Sequence, residues 1–268
     1  RAYETSGRWG AEAVFGAICA RQNSRRNNSV LANYGTEMKI LMITRRVDRN
    51  DARAGFTYQW VRQMAAHVAE LYVICLEKGE SGGLPENCHV YTLGKEAGKN
   101  RFREFIRFMR YAARIVPQID GVFSHQNPEY GILIAPWCKL YRKKLIAWYT
   151  HKSVTLRLRV LAMLADRMVT ASSESFRLKT PKLQVMHHGI DVEHFAFQPK
   201  QRSGQFVMLS VSRISPSKNI HRMIELVDEL HQRGSGSLTL SIAGDAVLES
   251  EKHYLAHLRA IVQEKGLS

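Results

Sequence analysis

The sequence predicts an α/β protein whose strands form parallel sheets. From Met38 onward, short apolar runs alternate with segments whose apolar residues recur at helical spacing, the pattern of strand–helix repeats in a parallel sheet. A polar stretch at 191–205, which carries Pro199 and Gly204, divides this pattern in two. After it, an apolar run at 206–211 leads into a basic loop and a helix-like segment, so a second unit of the same kind is expected there.

These patterns also define the domain boundaries. Residues 1–37 lack clear periodicity, and Glu12 interrupts the apolar stretch that a signal peptide would need. We interpret them as an extension that is disordered or lies upstream of the natural start. Residues 38–190 form the first domain, 191–205 a linker, and 206–268 the start of a second domain. Because two strands are too few for an independent doubly wound sheet, the second domain is expected to be incomplete.

Each predicted element is short and bounded by turn-forming or polar residues. The predicted strands of the first domain are residues 39–44, 71–76, 88–93, 121–124, 144–149, 167–171 and 183–187. Its predicted helices are residues 55–70, 100–116, 129–141 and 154–165. The second domain is predicted to contain strands at 206–211 and 238–243 and helices at 220–230 and 248–264. The first of these strands is mostly apolar, so we expect neighbouring elements to cover both of its faces.

Composition narrows the class of protein. The 268 residues are 45% hydrophobic and 24% charged, which is enough for a sizeable core and disfavours global disorder. No run of eighteen apolar residues occurs, so the sequence predicts no membrane-spanning helix. The four cysteines form no CxxC pair, so neither a disulfide framework nor a zinc site is indicated. A reducing compartment is the simplest interpretation of their spacing.

The positive charge is concentrated in one part of the chain. Residues 38–190 hold 25 Lys and Arg against 12 Asp and Glu, a net charge of +13, whereas residues 191–268 hold nine of each. Such a basic domain indicates an anionic partner: a membrane surface, a lipid phosphate or nucleic acid. A nucleic-acid-binding or non-catalytic anion-binding α/β protein is therefore the alternative to an enzyme. Nucleic acid is the less favoured partner, because the sequence contains none of the combined aromatic and basic motifs that are typical of nucleic-acid-binding domains.

The helix predicted at 100–116 is both basic and amphipathic. Its apolar face consists of Phe102, Phe105, Ile106, Met109, Ala113 and Val116. Five arginines accompany a single acidic residue, Glu104. Two interpretations remain open. The helix either binds an anionic membrane surface, or it is a crossover helix whose apolar face packs on the sheet while its arginines stay in water.

The strongest candidate site follows the strand at 206–211. Arg213 and Lys218 stand in a loop that is broken by Pro216 and two serines, and the helix at 220–230 begins after it. Ligands of parallel α/β sheets bind beyond the carboxyl ends of the strands, and a helix N-terminus there favours anions. Two cations in this position fit a diphosphate. Solvated loop charges are the alternative interpretation.

This stretch resembles the start of the C-terminal domain in family 4 glycosyltransferases of the GT-B fold. The family has an arginine after the first strand of that domain and a lysine shortly after it, and both grip the diphosphate of a nucleotide sugar. Residues 188–191 with Phe195 resemble the family's crossover between domains, and 238–244 resembles its next strand and glycine turn. The resemblance covers about residues 38–268. It implies a complete N-terminal, acceptor-side Rossmann-like domain and the first part of a C-terminal, nucleotide-sugar-binding one.

The resemblance assigns donor-binding roles to four residues. It implies that Arg213 and Lys218 bind the diphosphate of the donor and that Gly244 lies in a turn beside them. It also implies that Gly55 belongs to a glycine loop where the backbone approaches the donor closely. The family has two adjacent glycines there, and Ala54 replaces the first of them.

Two histidines at strand ends are candidates for the catalytic centre. The resemblance implies that His151 positions the donor sugar, because the family carries a histidine at the matching strand end. A neutral histidine can donate a hydrogen bond to a sugar hydroxyl near pH 7. His125, which also ends a strand, is the second candidate, and a structural role is the alternative for both.

The resemblance also implies the reaction. A hexosyltransferase of this family transfers a sugar from a UDP- or GDP-sugar, with retention at the anomeric carbon, to a glycan or lipid-linked acceptor in cell-envelope polysaccharide synthesis. No DxD signature is present, so we expect no metal, and no cofactor besides the nucleotide sugar as substrate. The leaving diphosphate would be stabilised by Arg213 and Lys218.

Two further expectations follow from the family. Its paired glutamates would lie beyond Ser268, so this fragment alone is expected to be inactive. The family implies that the protein is cytoplasmic and binds peripherally to the inner face of the membrane.

Overall fold

The computed structural model describes residues 37–51, 55–98, 100–186, 196, 206–234 and 238–267. The chain falls into two compact units, Arg1–Phe195 and Ala196–Ser268. The first contains a seven-stranded sheet and the second a two-stranded one, and every strand pair is parallel. The predicted α/β class is therefore confirmed. The extension up to residue 36, nearly all of the predicted linker and the motif at 188–191 with Phe195 lie outside the described residues.

The first unit contains all seven predicted strands and all four predicted helices. Its strands are β1 (Lys39–Val47), β2 (Glu70–Lys78), β3 (Cys88–Thr92), β4 (Gly121–His125), β5 (Lys144–Trp148), β6 (Arg167–Thr170) and β7 (Leu183–Val185). Its helices are α1 (Gly55–Ala65), α2 (Arg101–Ile115), α3 (Pro128–Leu140) and α4 (Leu156–Leu164). Strand β1 continues past the predicted end because Arg46 pairs in register with Glu77 of β2 and contacts Asp51 at 2.7 Å.

The order of strands across the first sheet is β3-β2-β1-β4-β5-β6-β7. The chain therefore builds outward in one direction from β1 to β3 and in the other from β4 to β7. The reversal falls between β1 and β4, which pair from Ile40 with Gly121 to Ile43 with Ser124. In open α/β sheets the ligand site lies beyond the carboxyl ends of the two strands at this switch point.

Both faces of the first sheet are covered. Residues of β1 alternate between them, so that Leu41 and Ile43 join one core cluster while Ile40 and Met42 join the other. Helices α2, α3 and α4 pack on the first face, and α1 packs on the second. Burial of both faces explains why the central strands β1, β4 and β5 read as nearly continuous apolar runs in the sequence.

Only part of the apolar face predicted for α2 packs on the sheet. The buried residues of this helix are Glu104, Phe108, Ala112 and Ile115. The ring of Phe108 lies 5.0 Å from that of Tyr130 on α3, and the Tyr130 hydroxyl donates to Glu104 at 3.3 Å. Burial and the neighbouring Glu104 raise the pKa of Tyr130 to about 12, so this donor keeps its proton at neutral pH. Of the two interpretations left open, packing of the apolar face on the sheet therefore holds for Met109 and Val116 but not for Phe102, Phe105 and Ile106, which are exposed.

The carboxyl end of α4 is capped by a lysine from a later segment. The ammonium nitrogen of Lys182 donates to the carbonyl oxygens of Ala162, Met163 and Ala165 at 3.0, 2.7 and 2.7 Å. The first two carbonyls belong to the last turn of the helix and the third to the residue after it, and none of them has a partner within the helix. The positive charge is also favourable at the negative end of the helix dipole.

Replacing Lys182 by methionine is expected to destabilise the first unit by about 1.5 kcal/mol, because three carbonyls lose a charged donor while the apolar stem is kept. Urea unfolding followed by tryptophan fluorescence measures this change. Lys179→Met is the matched control, since Lys179 is exposed and its side chain makes no hydrogen bond or ion pair with the described residues. Equal midpoints for the two variants would contradict a capping role.

The second unit repeats the strand–helix pattern. Its elements are β8 (Phe206–Val211), α5 (Ile220–Gln232), β9 (Leu238–Ala243) and α6 (Glu249–Glu264). The two helices pack with the loops that follow the strands around a small core of Ile214, Ile220, Ile224, Ala246 and Leu258. The predicted cover on both faces of β8 is not found among the described residues, where Val207, Leu209 and Val211 are 50, 66 and 75% exposed.

No helix in the part of the chain that the structure describes combines the length and the apolar character needed to cross a bilayer.

Candidate functional site

The six predicted site residues form two sets, one in each unit. Gly55, His125 and His151 follow or end strands of the first sheet, and Arg213, Lys218 and Gly244 follow the strands of the second. Because the strands within each sheet are parallel, the members of each set lie at one edge of their own sheet, beyond the carboxyl ends of the strands.

His125 lies at the switch point of the first sheet. It is the last residue of β4, and its Nδ1 atom is 3.1 Å from the hydroxyl oxygen of Thr44 on β1. Both side chains are buried. The hydrogen bond therefore fixes the imidazole where the strand order reverses.

Aromatic rings surround this imidazole. The ring centroids of Trp60, Phe123 and Phe56 lie 5.2, 6.1 and 6.2 Å from that of His125. Phe56 is half exposed and sits in the first turn of α1, so one side of the group borders solvent. An aromatic surface beside a fixed polar group is a common lining of ligand sites, because it provides apolar contact area and one oriented hydrogen-bonding group.

His151 lies in the loop after β5 and is exposed. Its Nδ1 atom accepts from the backbone N–H of Ser153 at 3.1 Å and lies 2.7 Å from the hydroxyl of the same residue. Because Nδ1 accepts the N–H bond, the proton of the neutral ring stays on Nε2. Gln126, with φ of 58°, reaches Thr150 at 3.0 Å and so connects the loops that carry the two histidines.

Gly55 starts α1, and neither its backbone conformation nor its described neighbours require glycine at this position. Its φ angle lies outside the left-handed region, and an added Cβ would meet only the carbonyl oxygen of Arg49 at 3.7 Å, an ordinary contact. A positive φ, one reason to expect glycine at this position, is therefore absent. Ala54 lies outside the described residues.

Arg213 of the second unit forms an ion pair. Its Nη1 atom is 3.0 Å from Oε1 of Glu251 on α6, whose side chain is only 5% exposed. The other carboxylate oxygen of Glu251 accepts from the backbone N–H groups of Val247 and Leu248, both at 3.0 Å. Glu251 thus ties the guanidinium to the N-terminus of α6, and half of the Arg213 side chain stays exposed.

Lys218 ends the single helical turn Pro216–Lys218 that precedes α5. Its side chain is exposed and makes no hydrogen bond or ion pair with the described residues. Asn219 follows with φ of 53°, a left-handed conformation that starts the helix directly after the lysine. Lys218 is therefore an exposed cation directly before the positive end of α5.

Gly244 lies where the two strand-exit loops of the second unit touch. A Cβ at this position would lie 1.8 Å from the carbonyl oxygen of Ser212, so no side chain fits. The contact is stabilised by hydrogen bonds from Ser212 N to Ala243 O and from Ile214 N to Asp245 O, both 3.0 Å. The glycine thus holds the Arg213 loop against the turn after β9.

The cysteines contribute no reactive thiol in the described part of the chain. Burial raises the pKa of Cys75, Cys88 and Cys138 to about 12, so these thiols stay protonated at neutral pH. Among the same residues, no group of three His, Cys, Asp or Glu side chains is placed to hold a metal ion.

Sequence reasoning missed several residues that shape these sites. Thr44 was visible only as a polar residue ending an apolar strand, and Gln126 only as the neighbour of His125. Trp60 is part of the helical pattern of α1, which gives no hint that it faces an imidazole. Glu251 stands at the third position of α6 without a Ser or Thr cap before it, so the usual capping signature is absent.

The sequence matches no protein-family model and no curated protein. Solved structures nevertheless share the fold. Anabaena Alr3699/HepE in complex with UDP aligns with a TM-score of 0.62 at 17% identity, over 86% of this chain and 67% of that one. Its complex with UDP-glucose aligns with a TM-score of 0.60 at 18% identity, over 87% and 67%.

A protein of Listeria monocytogenes assigned as a UDP-N-acetylglucosamine 2-epimerase has a TM-score of 0.50 at 12% identity, over 84% of this chain and 66% of that one. The chain thus spans about two thirds of the length of these proteins. The fold is GT-B-like, with a Rossmann-type parallel sheet in its first unit. More particularly, it is similar to the fold of Anabaena HepE.

Proposed function

We propose that this chain belongs to a glycosyltransferase that uses a nucleotide-diphosphate sugar as donor. The observation that carries the proposal is the edge of the second sheet, where Arg213, Lys218 and Gly244 follow two neighbouring parallel strands. Two cations and a helix N-terminus in this position suit a diphosphate. The similarity to HepE, which was crystallised with UDP and with UDP-glucose, supports a UDP-sugar as the donor, with a GDP-sugar as the alternative.

In this proposal the cations of the second unit stabilise the leaving diphosphate. Negative charge grows on the diphosphate as the glycosidic bond breaks, so a fixed cation favours the transition state over the ground state. Arg213 is held in place by Glu251, and Lys218 adds a charge that is not neutralised by any described neighbour. The nucleotide sugar is a substrate, and no metal ion or further cofactor takes part.

The first unit would supply the acceptor side. His151, with its proton on Nε2, would donate to a hydroxyl of the transferred sugar, and His125 is the second candidate for that task. The hexosyl transfer would retain the anomeric configuration. The acceptor would be a glycan or a lipid-linked saccharide of the cell envelope, at the cytoplasmic face of the membrane. These finer assignments rest on the resemblance of the sequence to family 4 glycosyltransferases.

Titration calorimetry with the full chain tests the donor class. We expect saturable binding of UDP-glucose that competes with UDP and persists in the presence of a chelator. GDP-mannose and ATP serve as comparison ligands, since they share the phosphates but not the uracil. Failure to bind any nucleotide sugar, or loss of binding on chelation, would contradict the proposal.

An epimerase is the second candidate, because the fold is also similar to that of the Listeria monocytogenes protein. A 2-epimerase would change UDP-N-acetylglucosamine at carbon 2 without any acceptor, which nuclear magnetic resonance of the sugar detects. A glycosyltransferase leaves that carbon unchanged and consumes the donor only when an acceptor is added.

A further inference from the structure

Helix α2 exposes an apolar stripe. The side chains of Phe102, Phe105 and Ile106 are 72, 42 and 41% exposed. Their spacing of three and four residues places them on one face of the helix, away from the stripe that packs on the sheet. Three large exposed apolar side chains on one helical face form a contiguous patch, and such patches mark interaction surfaces more often than single exposed residues do.

The exposed charged side chains of α2 are all basic. Arg101, Arg103 and Arg110 are exposed, and none of them forms a salt bridge with the described residues. The one acidic residue of the helix, Glu104, is buried against Tyr130 and does not neutralise them. Arg103 and Arg110 are seven residues apart, so they lie on the same flank of the apolar stripe.

Arg107 is excluded from this surface. Its Nη1 atom donates to the carbonyl oxygen of Leu93 at 3.0 Å and lies over Gly94, where an added Cβ would be 1.7 Å away. The guanidinium therefore holds the loop after β3 against the helix, and a substitution there would disturb the fold.

We propose that the outer face of α2 docks on an anionic phospholipid bilayer. Phe102, Phe105 and Ile106 would enter the interface below the headgroups, and the flanking arginines would bind lipid phosphates. A cationic rim beside an apolar stripe is complementary to this surface, which is anionic at its headgroups and apolar beneath them. Nucleic acid or an acidic protein would satisfy the arginines but would leave the apolar side chains in water.

This inference deepens the proposed function, because a membrane surface is where a lipid-linked acceptor is found. The docking surface can be tested independently of the donor site, because vesicle binding is measured without any nucleotide sugar. Loss of vesicle binding with intact UDP-glucose binding would overturn the docking surface alone, whereas the reverse result would overturn only the donor proposal.

Flotation of the full chain with vesicles tests the role of charge. Binding is expected to vesicles of phosphatidylcholine that contain phosphatidylglycerol, and to weaken as salt rises. The double variant R103Q/R110Q should bind about 25-fold more weakly, or about fivefold for each arginine lost near the surface. The matched control R62Q/R167Q removes the same charge from α1 and β6 and should change binding by no more than about twofold, since distant charges are screened.

A second pair of variants tests the apolar stripe. F102Q/I106Q should weaken vesicle binding about tenfold or more, because two side chains no longer enter the interface. L156Q/M163Q is the control, since Leu156 and Met163 are 76 and 70% exposed but lie on α4. Circular dichroism confirms that each variant is folded, which is expected because the replaced side chains are already exposed.

Three outcomes would overturn the proposal. They are equal binding to vesicles with and without phosphatidylglycerol, equal losses in the α2 variants and their controls, and binding to DNA or an acidic protein in the absence of vesicle binding.

Discussion

Replacing Gly244 by alanine is expected to destabilise the second unit by about 3 kcal/mol. The added Cβ would lie 1.8 Å from the carbonyl oxygen of Ser212 and 2.9 Å from its carbonyl carbon. Both atoms belong to the backbone, so they cannot swing aside as a flexible side chain would. One of the two loops must move, and the hydrogen bonds of Ser212 and Ile214 that join them would be strained or lost.

The distribution of tryptophan lets this change be assigned to one unit. The four tryptophans, Trp9, Trp60, Trp137 and Trp148, all precede residue 196, so their fluorescence follows the first unit, whereas circular dichroism follows both. Urea unfolding of Gly244→Ala should therefore show an earlier loss of circular dichroism with an unchanged fluorescence midpoint.

Gly55→Ala is the matched control for this substitution. A Cβ at Gly55 makes only an ordinary contact, so the free energy of unfolding should change by less than about 0.5 kcal/mol. A Gly244→Ala protein as stable as the parent would show that the two loops separate easily and that the glycine is not needed for packing.

Replacing Lys218 by alanine is expected to lower sugar transfer about a hundredfold in the active enzyme, as loss of one fixed donor does in comparable sites. The prediction rests on the proposed donor site. Lys218 is exposed, lies at the positive end of α5 and makes no ion pair with the described residues. Its charge is therefore available for a diphosphate. Turnover of the UDP-sugar under saturating acceptor measures the effect.

Two further variants help to distinguish an effect of the lost charge on turnover from an effect on folding. Arg222→Ala is the control, because Arg222 lies within α5 and should leave turnover nearly unchanged. Arg213→Ala should also lower turnover, but it removes an ion pair to the largely buried Glu251, so a loss of stability is expected as well. Lys218→Ala is the cleaner test. Normal turnover in Lys218→Ala would remove the cation from the proposed mechanism while leaving the fold unaffected.

The sequence predicted the first sheet well because burial leaves a direct signal there. Central strands covered on both faces, such as β1, β4 and β5, are mostly apolar, and seven strand-like runs separated by helical patterns leave few alternatives to a parallel sheet. The ends of the strands were predicted less accurately. Strand β1 extends through Arg46 because that side chain finds Glu77 and Asp51, contacts that periodicity does not report.

The failures concern which face of an element is covered. In α2 the buried stripe includes Glu104, which a search for apolar periodicity rejects, while the more apolar stripe through Phe102 is exposed. In β8 the apolar composition predicts burial, although Leu209 and Val211 are largely exposed in the described structure. The composition of an element shows which environments its side chains tolerate. Which neighbour covers them depends on residues distant in the chain, as Tyr130 does for the buried Glu104.

The pairing of β1 with β4 limits when the His125 site can form during synthesis. Ile40 pairs with Gly121, and the bond between Thr44 and His125 joins residues 81 positions apart. A parallel pair cannot close through a tight hairpin, so β1 must wait until the intervening strands and helices have been made. At about 5–20 residues per second, translation of that interval takes roughly four to sixteen seconds. During that time one edge of β1 is an open template on the nascent chain, and a chaperone that shields it would raise the yield of folded protein.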